Sequence, residues 1–331
     1  MKEYGGYIQL DTYRGTEHYP ELPAFNSGRA ALRFLIRYRG IKKLFLPGFC
    51  CSTVWEACQA EGISWEFYSV DPGFHPIFQQ SLQEQEWLYV VNFYGTLTDQ
   101  DMKALAVRHP RIIADYTHAF FQNPLPELDT LYSCRKFFGV ADGAYLSIGT
   151  RAEHHWETLY HALPLDASHD RMHFLLGRFE GQASDFYQEY AKNNERFTSE
   201  PVKRMSALTR NLLRAIDYSF ARQRRTENFQ YLHMHLKALN KLELPVIPGA
   251  YAYPFWYQKK PDDGDRLRKE LIRQKIYVPT LWPEVMEQYP EDSLEYQMTS
   301  NILPLPIDQR YTTEDMEHIL GILLKLLDLQ G

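Results

Sequence analysis

No stretch of this 331-residue chain approaches the roughly eighteen uninterrupted apolar residues of a membrane-spanning helix, so none is expected. The opening Met1-Lys-Glu-Tyr-Gly-Gly lacks the apolar core of a secretion signal. Cysteine is scarce. Cys50, Cys51, Cys58 and Cys134 form no C-x-x-C pair, and adjacent cysteines rarely bridge. Reduced thiols and a cytoplasmic location are therefore expected. No block of one charge occurs. The net charge is −6 with both signs interspersed, which leaves no footprint for nucleic acid or an anionic membrane. His154, His155 and His161 lack the spacing of metal ligands, and no metal site is expected.

What the chain has is length and aromatic content. Its length exceeds one small core and suggests a large domain with a smaller one, residues 1–240 and 241–331. The 23 tyrosines and 19 phenylalanines suit an aromatic-lined pocket, but they suit a plain core equally.

Residues 1–24 read as a loose lead-in. Phe25 to Ile36 follows as a helix, with Asn26 or Ser27 as N-cap and Leu32, Leu35 and Ile36 at helical spacing. A helix beginning at Ser27-Gly28 offers free backbone N–H groups, and a glycine lets an anion come close. An ordinary capped helix has the same pattern. Lys43–Leu46, Trp65–Val70, Trp87–Asn92 and Arg111–Asp115 read as strands, with helices at Phe49–Glu61 and Gln100–His109. Trp87–Asn92 is almost wholly apolar, as a strand covered on both faces should be. The alternation predicts an α/β fold, a mainly parallel sheet with helices on both faces. Such sheets bind ligands at the carboxyl ends of their strands, where Asn92, Asp115 and Ser133 fall.

Further on, Ser206 to Leu239 carries one long helical pattern. Leu208, Leu212, Ile216 and Phe220 share a face, and Arg222, Arg224 and Arg225 are expected on a solvated one. Pro245 to Pro248 reads as a joint. Tyr251–Tyr257 and Asn301–Leu305 read as strands, and Asp265–Gln274 and Thr313–Leu327 as helices, making a small C-terminal α+β domain. Tyr277 and Trp282 suit the wall of a substrate entrance, and packing explains them equally well.

The stretch Leu131-Tyr-Ser133-Cys-Arg-Lys136-Phe-Phe-Gly139-Val-Ala-Asp142-Gly143 joins a buried strand to a glycine-bearing turn. A partly desolvated lysine there becomes nucleophilic and condenses with an aldehyde, of which pyridoxal phosphate is the commonest cofactor. A surface lysine at a strand end fits the same residues. Asp115 would either cap the next turn or face a protonated ring nitrogen. His118 would either reach a cofactor's ring hydroxyl, lie on its ring face, or serve only the core.

The ordered set Asn26-Ser27-Gly28-Arg29-Ala30-Ala31, Asp115-Tyr116-Thr117-His118-Ala119, Ser133-x-x-Lys136 and Gly143 resembles the DegT/DnrJ/EryC1/StrS family of sugar aminotransferases. Phe93-Tyr94-Gly95, Arg204-Met205-Ser206, Leu271–Val278 before Pro279, and Asn301–Pro306 extend the resemblance over residues 24–325. It implies the fold type I architecture and a pyridoxal phosphate cofactor joined to Lys136 by a Schiff base. By the same resemblance Asp115 pairs with the pyridine nitrogen and His118 meets the ring hydroxyl or face. The Gly28 and Arg29 amides and the Ser133 hydroxyl take the phosphate. It implies a homodimer that passes an amino group from glutamate or glutamine to a keto acceptor, a nucleotide-linked ketosugar. Another pyridoxal phosphate reaction, or a non-catalytic binding module, remains the alternative.

The sequence departs from that family at four places. Arg29 stands where the family has threonine, Ser133 is three rather than five residues before the lysine, and Ala207 stands for aspartate. No asparagine precedes Arg204 at the place where the family's phosphate-reaching asparagine lies.

Overall fold

The apolar, β-prone runs become strands, and their burial follows the expected pattern. The computed structural model describes residues 4–150, 155–260 and 263–328; His154 lies outside them. The large sheet contains β1 (Ala24–Phe25), β2 (Lys43–Pro47), β3 (Ser64–Val70), β4 (Pro76–Ile77), β5 (Glu86–Val91), β6 (Ile112–Asp115), β7 (Asp129–Ser133) and β8 (Ala144–Ser147). Its strand order is β1-β8-β7-β6-β5-β2-β3-β4. The central pairs β3–β2, β2–β5, β5–β6 and β6–β7 are parallel. The edge pairs β1–β8, β7–β8 and β3–β4 are antiparallel. Every residue of β6 is buried, as parallel strands covered on both sides require.

The strand order reverses at β2, which has β3 on one side and β5 on the other. That reversal opens a crevice at the strands' carboxyl ends. Pro47, Val91, Asp115 and Ser133 all end strands on this edge. Helix α1 (Gly28–Arg39) leads into β2, α2 (Ser52–Ala60) into β3 and α3 (Asp99–Arg108) into β6. Gly143 makes the return from β7 to β8 at φ +123°; a Cβ there would press on Cys134, Met205 and Thr209 at 3.2 Å. Asp142 beside it is fully buried and accepts from the backbone N–H and hydroxyl of Ser206, both at 2.8 Å.

The small antiparallel sheet pairs β9 (Tyr253–Trp256) with β10 (Ile302–Leu305). A second apolar cluster joins it to Phe229, Leu232 and Leu236 and to the helix Thr313–Asp328. No described helix is long and apolar enough to cross a membrane, and no group of described residues could hold a metal ion. Cys50, Cys51, Cys58 and Cys134 are free thiols.

Three expectations need correction. The lead-in is not loose throughout: Glu17 is buried, accepts from the Tyr145 hydroxyl at 2.8 Å and pairs with Arg210 at 3.1 Å. The long helix over Ser206–Leu239 is two helices, Ala207–Leu213 and Tyr218–Leu236. Asp217 starts the second by accepting from the Phe220 N–H at 2.9 Å, and the Tyr218 hydroxyl closes the first by donating to the Leu213 carbonyl at 2.8 Å. Arg225, expected in solvent, is 1 % exposed.

Candidate active site

Helix α1 begins as the Ser27 spacing requires. Ser27 has extended backbone angles and its hydroxyl accepts from the Ala30 N–H at 3.1 Å. The first amides of a helix have no partner within it, so Gly28 and Arg29 present N–H groups at its positive end. A Cβ on Gly28 would lie 3.9 Å from the Thr117 methyl, which puts this helix end beside the loop that follows β6. The Arg29 guanidinium pairs with Glu56 at 2.8 Å, but its Nε and Nη1 are buried with no partner. Burial lowers the Arg29 pKa, and Glu56 opposes that shift.

Asp115 ends β6 and turns back on its own loop. It accepts from the Thr117 N–H at 2.8 Å and from the Tyr89 hydroxyl at 2.7 Å. Of the two expected roles, the turn cap is therefore in place. Each carboxylate oxygen still has acceptor capacity, because each carries two lone pairs. Burial, and then Asp115, push Tyr89 well above the usual phenol range.

His118 and Lys136 meet: Nε2 and Nζ are 2.9 Å apart. Lys136 gets there because Cys134–Lys136 forms a single 3₁₀ turn at the end of β7. The His118 ring stacks on Tyr251 at 4.4 Å and on Trp282 at 5.7 Å, nearly parallel to both. Burial and the Lys136 charge hold His118 well below 6.5, so the ring is neutral at pH 7. A neutral imidazole has one donor and one acceptor nitrogen. Donation from a Lys136 ammonium makes Nε2 the acceptor. The Tyr94 N–H, 3.5 Å from Nδ1, favours the other tautomer, in which Nε2–H donates to an uncharged amine. In either tautomer the ring holds the Lys136 amine by one hydrogen bond. The amine also sits 5.5 Å from the centre of the Tyr251 ring.

Lys136 opens onto a cavity of about 530 Å³, lined also by Arg135, Arg178, Arg225, Tyr277 and Arg310. Among the described residues Asp308 is the one carboxylate in its wall, and Arg310 holds both of its oxygens, at 2.7 and 2.9 Å. The wall is strongly positive and suits an anionic substrate. Burial and the neighbouring Arg171 and Arg29 cations push Arg135 down to about 10. A smaller cavity of about 240 Å³ touches His118 from the side of Gly95 and Ile247. Asp115 lines neither cavity.

The structure therefore brings His118 and Lys136 into contact and sets Gly28 against the same loop. Ser133 is half-buried on β7, paired with Ala144, and no hydrogen bond among the described residues links it or Asp115 to Lys136. Sequence reasoning missed Tyr251, read only as the start of a strand, and Arg225. Trp282 does reach His118, and Tyr277 lines the cavity at 47 % exposure.

No protein-family model matches the chain, and no curated protein sequence matches it. Solved structures do. The chain is similar to NtdA from Bacillus subtilis with bound cofactor PMP, at 14 % identity, over 93 % of this chain and 73 % of that one, TM-score 0.66. It is similar to PseC of Helicobacter pylori, an aminotransferase involved in the biosynthesis of pseudoaminic acid, at 15 % identity, covering 92 % and 86 %, TM-score 0.65. It is also similar to a DegT DnrJ EryC1 StrS aminotransferase from Brucella abortus, at 15 % identity, covering 92 % and 85 %, TM-score 0.63. Likeness at this identity shows the fold, and the site must carry the function.

Proposed function

We propose that this chain is a pyridoxal-phosphate-dependent aminotransferase. The observation that carries the reading is the Lys136 amine held against a neutral His118 at the carboxyl edge of a parallel sheet. The donor types suit the cofactor: an amine for its aldehyde, idle N–H groups for its phosphate and a carboxylate for its ring nitrogen. The Gly28 and Arg29 amides, the Ser133 hydroxyl and the unpartnered Arg29 nitrogens would take its phosphate. Asp115 would pair with the ring nitrogen, and the 530 Å³ cavity would admit substrate to Lys136. Bound pyridoxal phosphate supplies an aldehyde that accepts amino groups and a ring that withdraws electrons.

The chain's own groups do the rest. Lys136 would bind the cofactor and afterwards move a proton at Nζ, with the neutral His118 ring orienting that amine. Asp115 would hold a positive charge on the ring nitrogen. Tyr251 and Trp282 stack on His118 and fix the plane of its ring. Arg135 and Arg178 would attract anionic substrates. The amino donor would be glutamate or glutamine and the acceptor a keto compound, a nucleotide-linked ketosugar by resemblance. Residues 241–331 would act as the smaller domain. A cytoplasmic homodimer belongs to the same reading by resemblance, and the exposed apolar side chains of Leu176, Phe179 and Tyr187 support a partner surface.

Four measurements test this. Protein mixed with pyridoxal phosphate should gain a visible absorption band, and borohydride should fix the cofactor to the Lys136 peptide. Glutamate should bleach that band, and light scattering should report a dimer. Absence of cofactor uptake defeats the proposal; uptake without bleaching by glutamate or glutamine leaves a different reaction on the same cofactor.

A further inference from the structure

Arg225 is among the largest fully buried side chains, yet no carboxylate lies within ion-pair distance of it among the described residues. Its nearest acid by charge, Asp308, is taken by Arg310. Burying an unpaired guanidinium is costly, and an apolar side chain of similar volume would fill the same space at lower cost. Burial pushes Arg225 down to about 10. Packing alone gives no reason for an arginine here.

Its hydrogen bonds give one. Nε donates to the Gln309 side-chain oxygen at 2.8 Å, Nη1 to the carbonyls of Ala250 and Tyr251 at 3.1 Å each, and Nη2 to the Phe137 carbonyl at 3.4 Å. The guanidinium also stacks 4.6 Å from the Phe137 ring centre. Gln309 donates to the same Phe137 carbonyl at 2.8 Å, so both of that oxygen's lone pairs are used. Phe137 follows Lys136 in the chain, and Tyr251 is the ring stacked on His118. The side chain therefore fastens the backbone on both flanks of the Lys136–His118 pair. These four contacts leave one of an arginine's five N–H groups, too few to grip a substrate carboxylate with two bonds.

The geometry points to Arg225, with Gln309, as a positioning clamp that fixes Lys136 against His118 beneath Tyr251. The inference rests on the reading of Lys136 as the amine that takes up the cofactor. Arg225 acts through Phe137 and Tyr251. A lysine at 225 keeps the charge but loses the planar fork, so charge and geometry can be separated.

The test compares wild type with Arg225→Lys and the milder Gln309→Ala, well below the melting temperature of each. Borohydride trapping of pyridoxal phosphate on Lys136 should slow about tenfold or more in Arg225→Lys, because small misplacements of a reacting group have large rate effects. Acetic anhydride labelling of Lys136 in cofactor-free protein, normalised to the exposed Lys103, should move the other way and rise as Tyr251 loosens. Gln309→Ala should shift both readings in the same directions by less. Opposite signs mark a clamp, since general loosening would raise labelling of every lysine together. If Arg225→Lys matches wild type in both readings and only lowers the melting temperature, the clamp is overturned. If the lysine variant does not fold, Gln309→Ala decides by the same signs. If wild type traps no pyridoxal phosphate, the proposed function fails, and the labelling arm still decides whether Arg225 orders Lys136.

Discussion

The two edges of the large sheet treat charge in opposite ways. At the amino edge Arg33, Arg37, Arg39 and Lys43 each have a counter-charge, while Arg111 rests on the Leu82 and Glu86 carbonyls. Arg39 grips Asp129 at the start of β7 with two bonds, 2.9 and 2.7 Å, and Arg33 and Arg37 share Glu61 at 2.7 and 2.6 Å. Lys43 meets Glu66 at 2.8 Å. At the carboxyl edge, Arg29 has two idle nitrogens, Arg225 is held only by uncharged oxygens, and Lys136 has a neutral imidazole for a neighbour. Pairing charges satisfies them and removes them from chemistry. The unpaired edge costs stability and keeps its cations available for anions and protons. One edge fastens the fold, and the other is left reactive.

Substitutions can break this contrast. The largest expected effect is at the reactive edge: Lys136→Ala should abolish borohydride-stable uptake of pyridoxal phosphate while the thermal midpoint stays close to wild type. Asp129→Ala at the other edge should do the reverse. It strands a half-buried Arg39 and should cost about 3 kcal/mol in denaturant unfolding, with cofactor uptake per folded molecule unchanged. An Asp129 variant of unaltered stability would show that the amino edge is not the fastening one. Glu61→Gln is a weaker version. Arg37 is half exposed and screened by solvent, so the loss should be about 1 kcal/mol at most.

The smallest effect is a pH dependence. His118 is held well below 6.5 by burial and by Lys136. Below pH 6.5 the unfolded chain binds a proton there that the folded chain refuses, so stability falls as the solution is acidified. His118→Gln should flatten part of the decline in melting temperature between about pH 6.5 and 5. His18, His109 and His233 are also lowered and will retain the remainder. An unchanged slope would place His118 in a far less buried setting.

The central strands were legible because parallel strands covered on both faces must be apolar throughout, and Trp87–Asn92 and Arg111–Asp115 show it. The start of α1 was legible because a serine before a glycine leaves little else for the chain to do. The contact between His118 and Lys136 was not, since it depends on a 3₁₀ turn that no spacing announces. Tyr251 carried no signal: only its docking on His118, through chain more than a hundred residues away, gives it a place in the site. Arg225 was misread among three nearby arginines. Yet Ala221, Phe229, Leu232 and Leu236 fall on its stripe of the helix and are all buried with it. That periodicity was open to reading, and the charge on Arg225 concealed it.

Glu17 has a practical consequence for handling the molecule. Protease nicks before Asp11 should pass unnoticed, since the ends they free make few ties. From Asp11 onward the segment is knotted to the body, with Asn211 bonding to Tyr13 and Asp11 and Glu17 bonding to Tyr145. Tyr145 lies on β8, beside β7, whose end leads into the turn that carries Lys136. Digestion past that peg would therefore unseat a neighbour of the reactive amine from more than a hundred residues away in sequence.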